Sequence, residues 1–392
     1  MKISLIIPSF FPATVYGGPI YSTLYTSKEL AKLNHQIFVS TTNSNFNSRL
    51  NVPVNKFIEL ENNLYVKYYN ETFVNRFSAA LYVNINRDIK NVDIVHLQAI
   101  FNTPTPIALF WANFYNKPLL LSPRGALGDW VMNHGIKFKS TWISLLIKPF
   151  SDRIYWHATS EQEKTEIQSH FPEAKVFIVP NGLNIQEFSP FRKFSKVDFI
   201  KKYARIEANP DHIIISMGRL QKKKGFDILI KAFSEILIKF NNSYLFIAGQ
   251  DEGEKEALLK LIHQLRLSNR VFLIGELTGS DKIEFLGNAD LFVLPSHNEN
   301  FGNVYAESLA SGTPIVASLY TPWKEVENYN CGRCVGNSVG ETADAISYLL
   351  EKDLNEMGIN GKEYVKRFSW EEVAKKFESI FNTILKQKNG RL

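Results

Sequence analysis

Short apolar runs alternate with longer stretches of helical period from one end of this chain to the other. "KISLIIP" (2–8) is almost continuously apolar and reads as a buried strand, the segment after Gly17-Gly18-Pro19 reads as a helix through Leu33, and "QIFVST" reads as the next strand. "VDIVHL" (92–97), "PLLLS" (118–122) and "RIYWHA" (153–158) continue the series, with helical stretches between them. Strands that are apolar on both faces and separated by helices mark a parallel sheet covered by helices.

The regularity breaks over residues 181–211, where "NGLNIQEFSPFRKFSK" carries turn residues and no clean period. A second series then starts at "HIIISMG" (212–218) and runs through "SYLFIAG" (243–249), "RVFLIG" (270–275), "ADLFVLP" (289–295) and "TPIVAS" (313–318). The pattern predicts two doubly wound α/β domains joined near residue 190. A length of 392 residues agrees, since one ordinary core does not grow that large. The last amphipathic stretch, "SWEEVAKKFESIFNTILK", cannot bury its apolar stripe alone and must pack on a domain.

Composition narrows the function classes. Hydrophobic residues at 45% with charged residues at 21% suit a globular protein. The net charge of +6 would invite a nucleic-acid partner, but it is spread along the chain with Asp and Glu throughout, whereas a nucleic-acid binder concentrates its basic residues. Two cysteines exclude a disulfide scaffold, and both lie in "CGRC" (331–334), within a loop-like run that lacks the strand-to-helix setting of a redox pair. No Cys/His array has zinc spacing and no Asp-x-Asp pair suggests a metal-held diphosphate, so no metal site is expected. No apolar run reaches eighteen residues, and "MKISLIIPSF" is too short for a signal peptide, so a cytoplasmic location is expected.

Candidate chemistry gathers where strands run into helices, the edge at which open α/β sheets bind ligands. Gly17 and Gly18 follow the first strand, where glycine permits close backbone approach and a helix N-terminus offers N–H groups to an anion. Arg219 and Lys224, in "MGRLQKKKGFDILIKAF", flank a loop that leads into a helix, where cations can meet a diphosphate. Lys222 and Lys223 read as a solvated turn. In "ENFGNVYAE", Glu299 sits past a strand, Gly302 and Asn303 form a helix entry, and Glu307 lies one turn inside. A carboxylate there can accept two hydrogen bonds from a vicinal diol such as ribose.

The spacing of Glu299 and Glu307 resembles the E-x7-E motif of the retaining glycosyltransferases of family 4, which have the GT-B fold. The likeness spans nearly the whole chain and includes the Gly17-Gly18 loop, "VDIVHL", "PRGALGDW", "ATSEQE", "VPNGLN", "GRLQKKKGFDILIKAF" and "SGTPIVAS". It implies two Rossmann-like domains facing across a cleft: an acceptor-binding domain over 1–188 and a nucleotide-sugar-binding domain over 189–371. A C-terminal helix over about 372–392 would cross back to the first domain. It further implies that Arg219 and Lys224 hold the diphosphate, Glu307 the ribose and Glu299 the hydroxyls of the donor sugar. Phe301, Gly302 and Asn303 would line sugar and phosphate, Leu277 in Gly275-Glu276-Leu277 would flank the base, and Gly18 would touch phosphate or acceptor. Glu299, Arg219, Lys224 and Gln98 are thus the expected catalytic set, acting on a UDP- or GDP-sugar with no metal and no further cofactor.

One departure stands out. The family often reads D-x-V-H-x-H, with the second His reaching the donor sugar, whereas this chain has Asp93, His96 and then Gln98. Gln98 takes the contact position and His96 is expected to pack inside. Glutamine can hydrogen-bond a hydroxyl but cannot act as a base. The family reaction is usually explained by a front-face path in which the leaving diphosphate helps deprotonate the acceptor.

For the acceptor, Arg124 follows a strand and is a candidate contact, and Gly17 is a second. The stretch 123–150 mixes Lys137, Lys139 and Lys148 with Trp142, Ile143, Leu145, Leu146 and Phe150, which fits either a helix resting on a membrane face or one packed on the sheet. The first alternative points to a polyprenyl-diphosphate-linked saccharide acceptor in bacterial surface polysaccharide synthesis, whether O-antigen, capsule or exopolysaccharide, on the inner membrane's cytoplasmic face. A nucleotide-sugar epimerase and a non-catalytic partner subunit of the same fold remain alternatives.

Overall fold

The computed structural model describes residues 1–73, 76–128, 131–132 and 138–390. The chain divides into two compact units, Met1–Gly182 with Trp370–Leu392, and Leu183–Ser369.

The strands, in chain order, are β1 (Lys2–Ser9), β2 (Gln36–Thr42), β3 (Ser44–Asn45), β4 (Ser48–Arg49), β5 (Phe57–Glu61), β6 (Leu64–Tyr69), β7 (Ile94–Gln98), β8 (Leu119–Ser122), β9 (Ile154–Ala158) and β10 (Lys175–Ile178) in the first unit. The second unit has β11 (His212–Met217), β12 (Ser243–Ala248), β13 (Val271–Gly275), β14 (Leu291–Leu294), β15 (Ile315–Ser318) and β16 (Gly332–Val335).

Among the described residues, the first unit forms a sheet in the order β10-β9-β8-β7-β1-β2-β6-β5, parallel except for β5 against β6, with β3 and β4 as a separate small hairpin. Alternate side chains of its central strands serve opposite faces. Ile3, Leu5, Ile7, Ile94 and Leu120 face one core, and Ile6, Val95, Leu97, Leu119 and Leu121 face the other. The first core is completed by Val373, Ala374, Phe377, Phe381 and Ile384 of the C-terminal helix Trp370–Asn389. That helix buries the apolar stripe its sequence displays, and Trp370 stacks on Tyr25 with ring centroids 5.5 Å apart.

The second unit's sheet runs β13-β12-β11-β14-β15-β16, all parallel. Its inner strands β12, β11, β14 and β15 are buried on both faces, as their Ile, Leu, Val and Phe content requires.

Each sheet has one place where the strand order reverses. In the first unit it lies between β1 and β7, and in the second between β11 and β14. The loops leaving such a pair diverge to opposite faces and leave a crevice at the carboxyl edge. Those loops are residues 10–17 and 99–103 in the first unit, and 218–225 and 295–302 in the second.

"CGRC" is not wholly in a loop, because Gly332–Val335 pairs with β15 as edge strand β16; its two polar neighbours and short length hid the strand signal. Both thiols are buried, and burial pushes each up to about 12. Strands β5, β6 and β10 are also unannounced by the apolar pattern, since β5 and β6 carry charged residues within them and β10 is only four residues long.

Candidate active site

The second unit's reversal brings the loop after β11 against the loop after β14. Gly225 permits the first loop its path. Gly225 has φ +67°, and a Cβ there would lie 2.2 Å from the Pro295 carbonyl oxygen, so no side chain fits. Lys222–Lys224 forms a 3-10 turn, and the His297 N–H donates to the Lys223 carbonyl at 2.8 Å, which ties the two loops together.

Across this junction Lys224 Nζ pairs with Glu299 Oε1, their side chains only 15% and 12% exposed. Ser296 Oγ donates to the same carboxylate oxygen at 3.0 Å. Glu299 is thus held by two groups, one from each loop.

The next residues enter the helix Asn303–Ser311. Gly302 has φ +76°, and a Cβ there would meet the Tyr305 ring at 2.7 Å. Gly302 brings no side chain of its own to cap this helix, whose N-terminal end lies at the same sheet edge as Glu299 and Lys224. Phe301 is buried; its ring packs on Trp323 and Phe368, and its carbonyl accepts from Trp323 Nε1 at 2.6 Å. The side chain of Phe301 therefore anchors the loop, leaving its backbone as the part that can line a ligand.

Glu307, one turn in, is held by Lys282 Nζ at 2.6 Å from the helix Gly279–Gly287 that follows β13. Leu277, before that helix, is half-buried against the core. Arg219 lies further out and pairs with Glu252 at 2.8 Å, its side chain 62% exposed. Ser296, Lys282 and Glu252 were not anticipated. Each is far from its partner in sequence or is too common a residue in its setting to signal a site.

The first unit's reversal assembles a different group. Gln98 ends β7 at the carboxyl edge and His96 lies two residues before it, so both point to the face covered by the C-terminal helix. Asp93 accepts the Lys2 N–H at 2.7 Å. His96 is buried against Phe377 and Phe381. Ser122 Oγ lies 2.9 Å from His96 Nε2 and 2.7 Å from His157 Nδ1, while His157 Nε2 faces the Val179 carbonyl at 2.8 Å. Gln98 Nε2 reaches His96 Nε2 at 2.9 Å, and its Oε1 accepts from Arg124 Nε at 2.8 Å. Arg124 also donates through Nη1 to Asn181 at 3.0 Å.

These contacts settle protonation. The Val179 carbonyl requires a proton on His157 Nε2, and burial followed by the Arg124 charge pulls that imidazole down to about 3. His96 is pushed well below its usual range by burial, then by His157 and Arg124. Both rings are neutral. Burial likewise lowers Arg124 to about 10, against the opposing pull of Glu163.

Gly17 (φ +70°) and Gly18 lie at the start of the helix Gly18–Lys32, after β1, on the same reversal as Gln98. Within 123–150, Asp129, Trp130 and Lys137 fall outside the described residues. Trp142, Ile143 and Ile147 face the core, with Trp142 Nε1 donating to the Ile100 carbonyl at 3.0 Å, while Phe138 and Leu145 face outward. No helix among the described residues is long and apolar enough to cross a membrane.

Residues 16–187 match the model of Glycosyltransferase Family 4, and residues 199–368 match that of glycosyl transferases group 1. Among curated relatives, the capsular polysaccharide biosynthesis glycosyltransferase CapM of Staphylococcus aureus is 31% identical over 54% of this chain and 55% of its own length. The D-inositol 3-phosphate glycosyltransferase of Corynebacterium diphtheriae is 27% identical over 56% and 54%. This chain therefore spans just over half the length of either relative. Solved structures share the fold. Anabaena Alr3699/HepE in complex with UDP superposes with a TM-score of 0.72 at 18% identity, covering 98% of this chain and 100% of that one. A glycosyltransferase from Rickettsia africae gives 0.73 at 21%, covering 98% of each. The architecture is that of the GT-B glycosyltransferases. With one model answering to each half and the loops of both reversals built as described, the chain belongs to the glycosyltransferases of family 4 and group 1.

Proposed function

We propose that this protein is a retaining hexosyltransferase that takes its sugar from a nucleotide-diphosphate donor, UDP- or GDP-linked, and passes it to a saccharide acceptor. One observation carries the reading: the second unit's reversal places Lys224, Glu299 and the helix start at Gly302-Asn303 at one edge, with Arg219 outside them. A diphosphate needs cations and N–H donors, a sugar needs a carboxylate for its hydroxyls, and this edge offers both. Glu307 is the ribose ligand in this reading, and Leu277 flanks the base.

Chemically, charge grows on the diphosphate as the glycosidic bond breaks. Lys224 and the helix N-terminus are held in place before the reaction, and Arg219, exposed at the rim, turns from Glu252 to join them; a preorganised donor is worth about 2.7–4 kcal/mol in oxyanion sites. These groups take the part a metal ion plays elsewhere, so the donor is bound without one. Glu299 orients the donor sugar. Gln98 offers an amide and no base, which suits a path in which the departing diphosphate accepts the acceptor's proton. Gly17 and Gly18 keep the first unit's edge open to the acceptor.

The acceptor is proposed to be lipid-linked and part of a surface polysaccharide. CapM, by its name, acts in capsule synthesis. Phe138 (73% exposed) and Leu145 (67%) point outward beside Lys139 and Lys148, and Phe110 and Phe114 are exposed on the neighbouring helix Pro104–Phe114. Exposed aromatics beside lysines suit peripheral contact with an anionic membrane face.

Thermal unfolding with UDP and with GDP, alongside an Arg219→Ala/Glu307→Ala variant, tests the donor site. A ligand that binds only the folded state raises Tm by mass action. A shift with one nucleotide that vanishes in the variant supports the reading. No shift with either, or an undiminished shift in the variant, sinks it.

A further inference from the structure

The hairpin β3–β4 leaves the carboxyl end of β2 and borders a concavity of about 620 Å³ that the donor reading does not use. Phe46, Asn47 and Arg49 line it from the hairpin, and Glu71, Thr72 and Phe73 line it from the segment after β6.

Phe46 and Phe73 are 59% and 96% exposed. Single exposed apolar residues are ordinary, but two aromatic rings bordering one concavity are the usual furniture of a binding surface. The hairpin is also pinned in place. Tyr16 Oη accepts the Phe46 N–H at 2.7 Å and lies 2.8 Å from Ser44 Oγ, and the Arg76 guanidinium covers the Tyr16 ring at 4.1 Å. Phe46 is therefore tied to the residue next to Gly17.

Glu71 adds an independent observation. It is only 8% exposed, and its Oε1 accepts the Arg76 N–H at 2.5 Å. Its Oε2 has Arg49 Nε at 3.8 Å, beyond hydrogen-bond reach. Oε2 thus has Arg49 as an ion-pair partner and, among the described residues, no closer hydrogen bond, and a ligand hydroxyl in the concavity that Glu71 lines can donate to it.

The ligand that satisfies both features has a flat C–H face and hydroxyls at its edge. Arg49 and Glu71 pair with each other and leave the concavity no net charge that selects an anion, and a purely apolar ligand would not use the Glu71 acceptor. We propose that this concavity is a saccharide subsite, holding a neutral pyranose of the acceptor against Phe46 and Phe73 with a hydroxyl donating to Glu71 Oε2. Asn47 and Thr72 supply further polar contacts. The proposal rests on the transferase reading for the word acceptor, and its position beside the Gly17 loop agrees with that reading.

An array of neutral hexose and N-acetylhexosamine oligosaccharides tests it, with UDP and GDP binding measured calorimetrically on the same preparations. The proteins compared are the full chain, Phe46→Ala/Phe73→Ala, and Glu71→Gln. The two Phe positions are exposed, so their variant folds even where the Glu71 change disturbs packing. The expected result is retention on at least one saccharide class, at least tenfold weaker in the double Phe variant, with nucleotide binding unchanged. Undiminished retention in that variant overturns the subsite, as does no retention by a chain that binds nucleotide; in both cases the transferase reading stands. Retention lost in the variant of a chain that binds neither nucleotide supports the subsite and removes the transferase reading.

Discussion

Lys224 and Glu299 are 75 residues apart in sequence and paired at the single point where the second unit's strand order reverses. Each comes from the loop on its own side of that reversal. Both are mostly withdrawn from water, so removing one partner strands the other. Lys224→Met is expected to cost roughly 3 kcal/mol, the low end for broken buried pairs given the exposure that remains. Adding Glu299→Leu should recover much of that loss. Urea unfolding of the two variants checks it, and equal stabilities would refute the coupling.

Arg219 behaves differently. Its pair with Glu252 is exposed and such pairs contribute about 0.2–1 kcal/mol, so Arg219→Ala should unfold at nearly the wild-type denaturant concentration. Nucleotide affinity should nevertheless fall by about tenfold or more, as loss of a charged hydrogen bond worth ~1.5–3 kcal/mol implies. Calorimetric titration with UDP and GDP distinguishes this from a structural role, which would move stability and leave affinity alone.

The Arg124 fork donates to Gln98 and Asn181 at once, a geometry a lysine ammonium does not reproduce. Arg124→Lys is expected to lose about 1.5–3 kcal/mol of stability. It should also free the Gln98 amide to turn. Denaturant midpoints for Arg124→Lys and Asn181→Ala, the second expected to be milder, are the relevant measurements.

The buried imidazoles make stability depend on pH. His157 titrates at about 3 in the folded chain and near 6.5 when unfolded, so between these values the unfolded chain binds the extra proton. The stability of the neutral ring is complete above pH 6.5 and drains as pH falls toward 3, by up to ~1.4 kcal/mol per pH unit. His96 is shifted in the same direction. Unfolding free energies measured from pH 7 to 4 should show this slope, and His157→Asn should flatten it.

Cys331 and Cys334 are buried with their thiols raised to about 12, which leaves little thiolate at neutral pH. Neither should react with a disulfide reagent at pH 8 until the protein is unfolded, when both should. Rapid labelling of the native chain would contradict their packed position.

The succession of apolar runs and helical periods was enough to foresee two parallel α/β units, because burial on both faces writes itself locally as Ile, Leu, Val and Phe. Turn glycines at 17 and 302 were legible for the same reason, since a positive φ or a close backbone approach constrains the residue that sits there. Long-range partners were not. Nothing in the linear order says that Lys282 would hold Glu307, that Glu252 would meet Arg219, or that Arg124 would turn inward to Gln98. Strand order decides these meetings, and parallel strands neighbour one another only through crossovers whose sequence carries no record of the final register. The tertiary structure alone brought Glu71, Phe46 and Phe73 around one concavity, because that juxtaposition depends on where a hairpin and a loop from separate strands come to rest.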